Sequence, residues 1–326
     1  MKSVRFHELG GPEVLKYEDA PDPMPGPGEV LLKVEAAGLN FSDIAKRLGR
    51  YLEPTPLPFT PGSEAAGTVL AVGEGVNRIV VGDRVTGVFP TRSGGYAELA
   101  VMPEAQAVKI PSGLSAVDAV AVPNQGATAM SLLSLMARLA PGESVLVSAA
   151  AGGVGGWIIA LARAQGAGRI VALTSTPAKR AETLRLGADT ALDPAEPAWS
   201  EAVRAATGGA GADVFLDSVG GAVFRGGMQA LAPFGRAVVY GLASGERVDV
   251  TPVTLMRPCQ MVGGFHLDTV MARPERMRAM LDDLFARAAR GEIEPRIARV
   301  FPLNEPAAAQ TYLASREAMG KIVIVP

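Results

Sequence analysis

The chain has 326 residues, a formal net charge of −2, and 48% hydrophobic against 20% charged residues. That length suits two domains with sizeable cores, and the scattered Lys and Arg lack the clustered basic face that nucleic acid requires. A single cysteine, Cys259, excludes a disulfide framework and suits a reducing compartment.

The N-terminal Met1-Lys2-Ser3-Val4-Arg5-Phe6-His7-Glu8 has no long apolar core. It therefore does not read as a signal peptide, and a cytoplasmic location is expected. Residues 1–122 are rich in Gly and Pro and carry short alternating runs, such as 29–35 and 67–72. Turn signals at Gly10-Gly11-Pro12, Pro25-Gly26-Pro27-Gly28, Gly82-Asp83 and Gly94-Gly95 separate them, which predicts mostly antiparallel β-structure. From 123 onward the pattern changes to strand–helix alternation. A buried strand over 144–148 is followed by a helix over 154–165. Next come a strand over 169–174, a helix over 178–186, a short strand over 190–192, and strands over 213–217, 236–240 and 261–265. Six strands with crossover helices imply an α/β domain with a doubly wound parallel Rossmann sheet. A helix over 273–290 follows, and the closing run Lys321-Ile322-Val323-Ile324-Val325 is expected to return to the first domain. The expected organisation is a discontinuous domain, 1–122 with 266–326, interrupted by the α/β domain at 123–265.

The most informative segment is Ala149-Ala150-Ala151-Gly152-Gly153-Val154-Gly155-Gly156, between the first strand and the first helix of that alternation. It reads A-x-x-G-x-x-G, with Ala where the dinucleotide fingerprint has its first Gly. Gly152, Gly153, Val154 and Gly155 are expected to face a pyrophosphate, because glycine permits close backbone approach and a helix N-terminus offers free N–H donors. Glycines and serines interrupt this apolar stretch, which falls short of the roughly 20 uninterrupted residues of a spanning helix, so no membrane is expected.

Cofactor preference is read at the end of the second strand, where an acid binds the ribose 2′-OH of NAD and basic residues accommodate the 2′-phosphate of NADP. Here Thr174, Ser175 and Thr176 carry no acid, and Lys179 and Arg180 follow. Small hydroxyls with a cation predict NADPH, held at Thr174, Ser175 and Lys179. A catalytic zinc would need three N, S or O ligands and an open position. One cysteine and two distant histidines, His7 and His266, supply no such motif, so no metal is expected.

Over essentially its whole length the chain resembles the zinc-free quinone oxidoreductase branch of the medium-chain dehydrogenase/reductase superfamily. The matching segments are Gly38-Leu39-Asn40-Phe41-Ser42-Asp43 with Gly49-Arg50-Tyr51, Pro61-Gly62-Ser63-Glu64-Ala65-Ala66-Gly67, Gln125-Gly126-Ala127-Thr128-Ala129, the glycine run, and Gly263-Gly264-Phe265. Zinc-dependent relatives have Cys where Asn40 stands and His where Ser63 stands. The resemblance implies a GroES-like β domain plus the Rossmann domain, and hydride transfer from NADPH to a quinone or an α,β-unsaturated carbonyl. It implies Asn40, Tyr51 and Thr128 as catalytic residues, with Tyr51 a candidate hydrogen-bond donor and Thr128 near the nicotinamide. Gly241, Ser244, Phe265, Leu267 and Lys321 match further cofactor positions. Glu64 is expected to have a structural hydrogen-bonding role, and Cys259 to be buried and inert. Asp193-Pro194 departs from the Asn-Tyr pair that many bacterial members carry after the third strand. Members usually dimerise through the Rossmann sheet edge, here Met261-Val262-Gly263-Gly264-Phe265. Alternative readings are an enoyl-thioester reductase and a non-catalytic NADPH-binding protein, as in the family's lens and vesicle-associated members.

Overall fold

The computed structural model describes residues 1–326. In chain order the strands are β1 (Lys2–Arg5), β2 (Lys16–Asp19), β3 (Glu29–Leu39), β4 (Glu64–Val72), β5 (Arg84–Val88), β6 (Leu99–Pro103), β7 (Val108–Lys109), β8 (Ser144–Val147), β9 (Arg169–Leu173), β10 (Thr190–Leu192), β11 (Ala212–Asp217), β12 (Leu231–Val239), β13 (Met261–Gly264), β14 (Ile297–Pro302) and β15 (Lys321–Val325). Two compact units result, one formed by 1–127 with 268–326 and the other by 128–267.

In the first unit β3 is the central strand. Its alternation buries Val30, Leu32 and Val34 on one face while Lys33 points to solvent, the period-2 pattern of a half-covered strand. Strands β4, β6 and β15 all pair with β3 in antiparallel fashion. The closing run thus returns to the first unit, with Ile322 opposite Leu39 and Ile324 opposite Ala37. Around Phe6, Phe59, Leu32, Tyr96 and Met102 the unit has its own apolar core.

In the second unit six strands lie in the order β10-β9-β8-β11-β12-β13, and every pairing is parallel. Their apolar runs, such as Ser144-Val145-Leu146-Val147, are buried because helices cover both faces of a doubly wound sheet. Strand order reverses between β8 and β11, the switch point where such sheets open a crevice at their carboxyl ends. β12 begins at Leu231, five residues earlier than expected. Leu231 pairs with Ala212, and Pro233-Phe234-Gly235 then form a bulge, with Phe234 at φ +62, before the pairing resumes at Arg236. Cys259 is a correction: it is exposed, because the turn after the short helix Pro252–Met256 places it at φ +54 on the surface.

The helix Gly153–Ala164 packs against the turn after β8 through Gly155. A Cβ there would stand 2.6 Å from Ala150 Cα and 2.7 Å from Ala149 O, and both are backbone atoms. Ala149 itself takes the left-handed φ of +48, held by the Gly152 N–H donating to its carbonyl at 2.9 Å. Gly155→Ala should therefore move backbone and cost about 2 kcal/mol. In calorimetry this would read as a Tm lower by roughly 4–8 °C, whereas an unchanged Tm would show that the corner yields without strain.

Candidate active site

Most of the cofactor positions read from the sequence collect at the carboxyl ends of the parallel strands of the second unit. Gly152 is the N-cap of the helix Gly153–Ala164 and supplies no side-chain cap. The first helical bond is donated by Gly156 to Gly152 at 3.0 Å. The N–H groups of Gly153, Val154 and Gly155 precede it and have no partner within the helix. Such a terminus, with backbone donors and no side chain in front of them, fits a diphosphate.

Neighbouring strand ends are tied to this corner. Ser148, just after β8, accepts from the Ser218 N–H at 2.9 Å, and its own N–H donates to Leu216 O at 3.1 Å. These bonds bridge the switch point. The buried Asp217 carboxylate accepts from the N–H groups of Val219 and Gly220 at 3.1 and 2.8 Å, shaping the next turn. Gly241 lies against that turn, since a Cβ would meet Ser218 O at 2.9 Å, and the Ser244 N–H donates to Val219 O at 2.9 Å. Phe265 extends the pairing of β13 with an N–H bond to Val239 O at 2.9 Å, and Leu267 is buried. Thr128 is buried early in the helix Ala127–Ser131.

At the end of β9, Thr174 is buried and Ser175 exposed. The Thr176 hydroxyl caps the helix Pro177–Arg185 by accepting from the Lys179 N–H at 3.3 Å. Ser175 thus follows β9, the half-buried Lys179 lies in the first turn of the helix, and Arg180 is bonded to Asp193.

The first unit holds a different kind of site. Asn40 caps the helix Phe41–Arg47, and its side chain is fully engaged: Nδ2 donates to Ser63 Oγ at 3.0 Å and to Glu64 Oε1 at 2.8 Å, while Oδ1 accepts from Lys321 Nζ at 2.8 Å. Lys321 and Glu64 form an ion pair with no solvent exposure of either side chain. The Asn124 N–H adds a bond to the second Glu64 oxygen at 3.1 Å. The ammonium of Lys321 is thus committed to Glu64 and Asn40. Asp43, behind this cluster, accepts from the N–H groups of Asn40 and Gly62 at 2.8 and 3.1 Å. Burial nevertheless raises its pKa to about 6, against the opposing pull of those two bonds.

Tyr51 is half-buried beyond the end of the same helix, and its phenol lies above its ordinary pKa, mainly through burial and against the charge of Arg92. Sequence reading missed Lys46, whose buried ammonium stands 4.6 Å from the Tyr51 ring centroid and 5.2 Å from that of Phe59. Burial holds Lys46 below the usual lysine value, opposed by Glu53 and Asp43. Also missed was Arg92, buried at a left-handed φ of +55, with Nε donating to Asp268 Oδ1 at 2.7 Å. Lys46 and Tyr51 are five positions apart with Tyr51 past the helix end, so no helical spacing links them, and the pairs joining positions 92 and 268, or 64 and 321, have no sequence signal either.

Removing one member of a buried pair strands the other charge. Lys321→Met should therefore cost about 3–5 kcal/mol in chemical denaturation. The double variant Lys321→Met with Glu64→Gln should recover most of that loss. Equal stability of single and double variants would show that Glu64 is satisfied without the ammonium.

Comparison with known proteins agrees with this arrangement. Residues 26–112 match the alcohol dehydrogenase GroES-like domain, and residues 153–286 match the zinc-binding dehydrogenase domain. A quinone oxidoreductase of Pseudomonas aeruginosa is 38% identical, covering 100% of this chain and 99% of the relative. A 2-haloacrylate reductase of a Burkholderia species is 33% identical over 98% of each protein. The structure of Escherichia coli quinone oxidoreductase complexed with NADPH superposes with a TM-score of 0.95 at 31% identity, covering both chains completely. The chain belongs to the quinone oxidoreductase branch of the medium-chain dehydrogenase/reductase superfamily.

Proposed function

We propose that this protein is an NADPH-dependent reductase that delivers hydride to quinones or α,β-unsaturated carbonyl compounds without a metal. The observation that carries the reading is the uncapped glycine corner at Gly152–Gly155, with Ser175 after the neighbouring strand and Lys179 in the first turn of the helix that follows. NADPH, when bound, supplies the hydride from its nicotinamide. The N–H groups of Gly153, Val154 and Gly155 bind the diphosphate, and Thr174, Ser175 and Lys179 hold the 2′-phosphate end. Gly241 and Ser244 form the loop against the cofactor, Phe265 and Leu267 hold the carboxamide through their main chain, and Thr128 stands by the nicotinamide.

Reduction of a conjugated acceptor develops negative charge on an oxygen, which needs a hydrogen-bond donor and then a proton. Tyr51 is assigned that role. Burial keeps its phenol protonated, and the Lys46 ammonium against its ring holds it in place. Asn40 acts as a rigid dipole rather than an adjustable ligand, because its amide is bonded to Ser63, Glu64 and Lys321. A metal-free reaction is supported by the same cluster. Asn40 and Ser63 stand where zinc-dependent relatives have Cys and His, and the Lys321 ammonium already neutralises Glu64. Similarity to a 2-haloacrylate reductase favours conjugated acceptors.

The protein is further proposed to be a cytoplasmic homodimer. No helix is long and apolar enough to cross a membrane, and the exposed free Cys259 suits a reducing compartment. β13 is an edge strand with Met261 57% exposed, so a second copy can pair with it about a twofold axis.

NADPH oxidation should be seen with a panel of quinones and enones, and Tyr51→Phe should lower kcat about tenfold or more while leaving the NADPH dissociation constant unchanged. Wild-type turnover in Tyr51→Phe with both acceptor classes would remove the phenol from the chemistry. Sedimentation should give a dimer, and a monomer at micromolar concentration would remove the sheet-edge pairing.

A further inference from the structure

At the adenosine end of the corner, the two basic residues next to each other in sequence do different things. Lys179 lies in the first turn of the helix Pro177–Arg185, and the Arg180 guanidinium turns toward the neighbouring strand. Its Nη1 donates to Asp193 Oδ2 at 2.9 Å and to the Thr174 carbonyl at 3.3 Å. Asp193 follows β10, and its other oxygen accepts the Ala195 N–H at 3.0 Å. The pair is largely shielded, with side-chain exposures of 27% and 19%. It therefore joins the carboxyl ends of two adjacent parallel strands, because Thr174 also donates its N–H to Leu192 O at 2.9 Å. A cation at this end of the sheet is what a 2′-phosphate pairs with. Here Asp193 sits on the cation.

We propose that the Asp193–Arg180 pair is a selectivity determinant: Asp193 withholds Arg180 from the 2′-phosphate, so that the preference for NADPH over NADH is weaker than two adjacent basic residues would give. This rests on the reading that the glycine corner holds a nicotinamide dinucleotide. Converting Asp193 to an amide leaves an oxygen for the Ala195 N–H but removes the charge that holds Arg180.

The test is calorimetric titration of the full chain, wild type and Asp193→Asn, with NADPH, NADH, adenosine 2′,5′-bisphosphate and AMP. One released charge-assisted bond is worth about a tenfold change in affinity. The Kd ratio of NADH to NADPH should therefore rise about tenfold in Asp193→Asn, and the ratio of AMP to the bisphosphate should rise with it. Asp193→Asn combined with Arg180→Met should return both ratios to near wild type. Asp193→Ser, whose hydroxyl can also accept from Ala195, should repeat the gain if the Asn variant does not fold. Unchanged ratios with normal wild-type binding would overturn this inference alone. Falling ratios would show that Asp193 aims Arg180 at the phosphate, which also overturns it. A wild type that binds none of the four nucleotides would bring down both this inference and the dinucleotide reading.

Discussion

The first unit depends on one buried ion pair. Lys321 opens the last strand, Glu64 opens β4, and Asn40 sits where β3 turns into a helix, so three distant segments meet in one set of hydrogen bonds. Isolated, either charge would be prohibitive to bury; together, with Asn40 and the Asn124 N–H completing the oxygens, they are tolerated. The pair also explains how a domain split by more than a hundred residues closes. β15 is held to β3 by backbone bonds, and its first side chain anchors it to β4.

The two units present different chemistry. The second works through backbone: helix N–H groups, strand-end turns and glycines through which main chains touch, as at Gly155 and Gly241. Such groups recognise phosphates and amides without titrating. The first works through side chains whose protonation is set by burial, with Asp43 and the Tyr51 phenol both raised and the Lys46 ammonium lowered. A cofactor carrying its own reactivity needs a backbone surface, and an acceptor that gains a proton needs a side-chain one.

Much of the second unit was legible residue by residue. The short strand over 190–192 is as expected, and helix ends moved by a single residue at Gly153 and at Pro177. Strand and helix periods are local properties, and the glycine run announces its turn within eight residues. The start of β12 was less faithful: Leu231 already pairs with Ala212, and Pro233-Phe234-Gly235 then bulge out of the pairing, with Phe234 at φ +62, before it resumes at Arg236. Cys259 lies exposed where burial was expected, because a helix-ending turn decides its place.

The sequence by itself determined the order of elements, the glycine corner, the return of the last strand and the family. Each is written in short-range periodicity or in contiguous motifs. Only the tertiary structure decided which charges meet. Arg180 meets Asp193, Lys321 meets Glu64, and Arg92 finds Asp268 across 176 positions. Ion pairs form between side chains that the fold brings together, and neither spacing nor composition encodes that proximity.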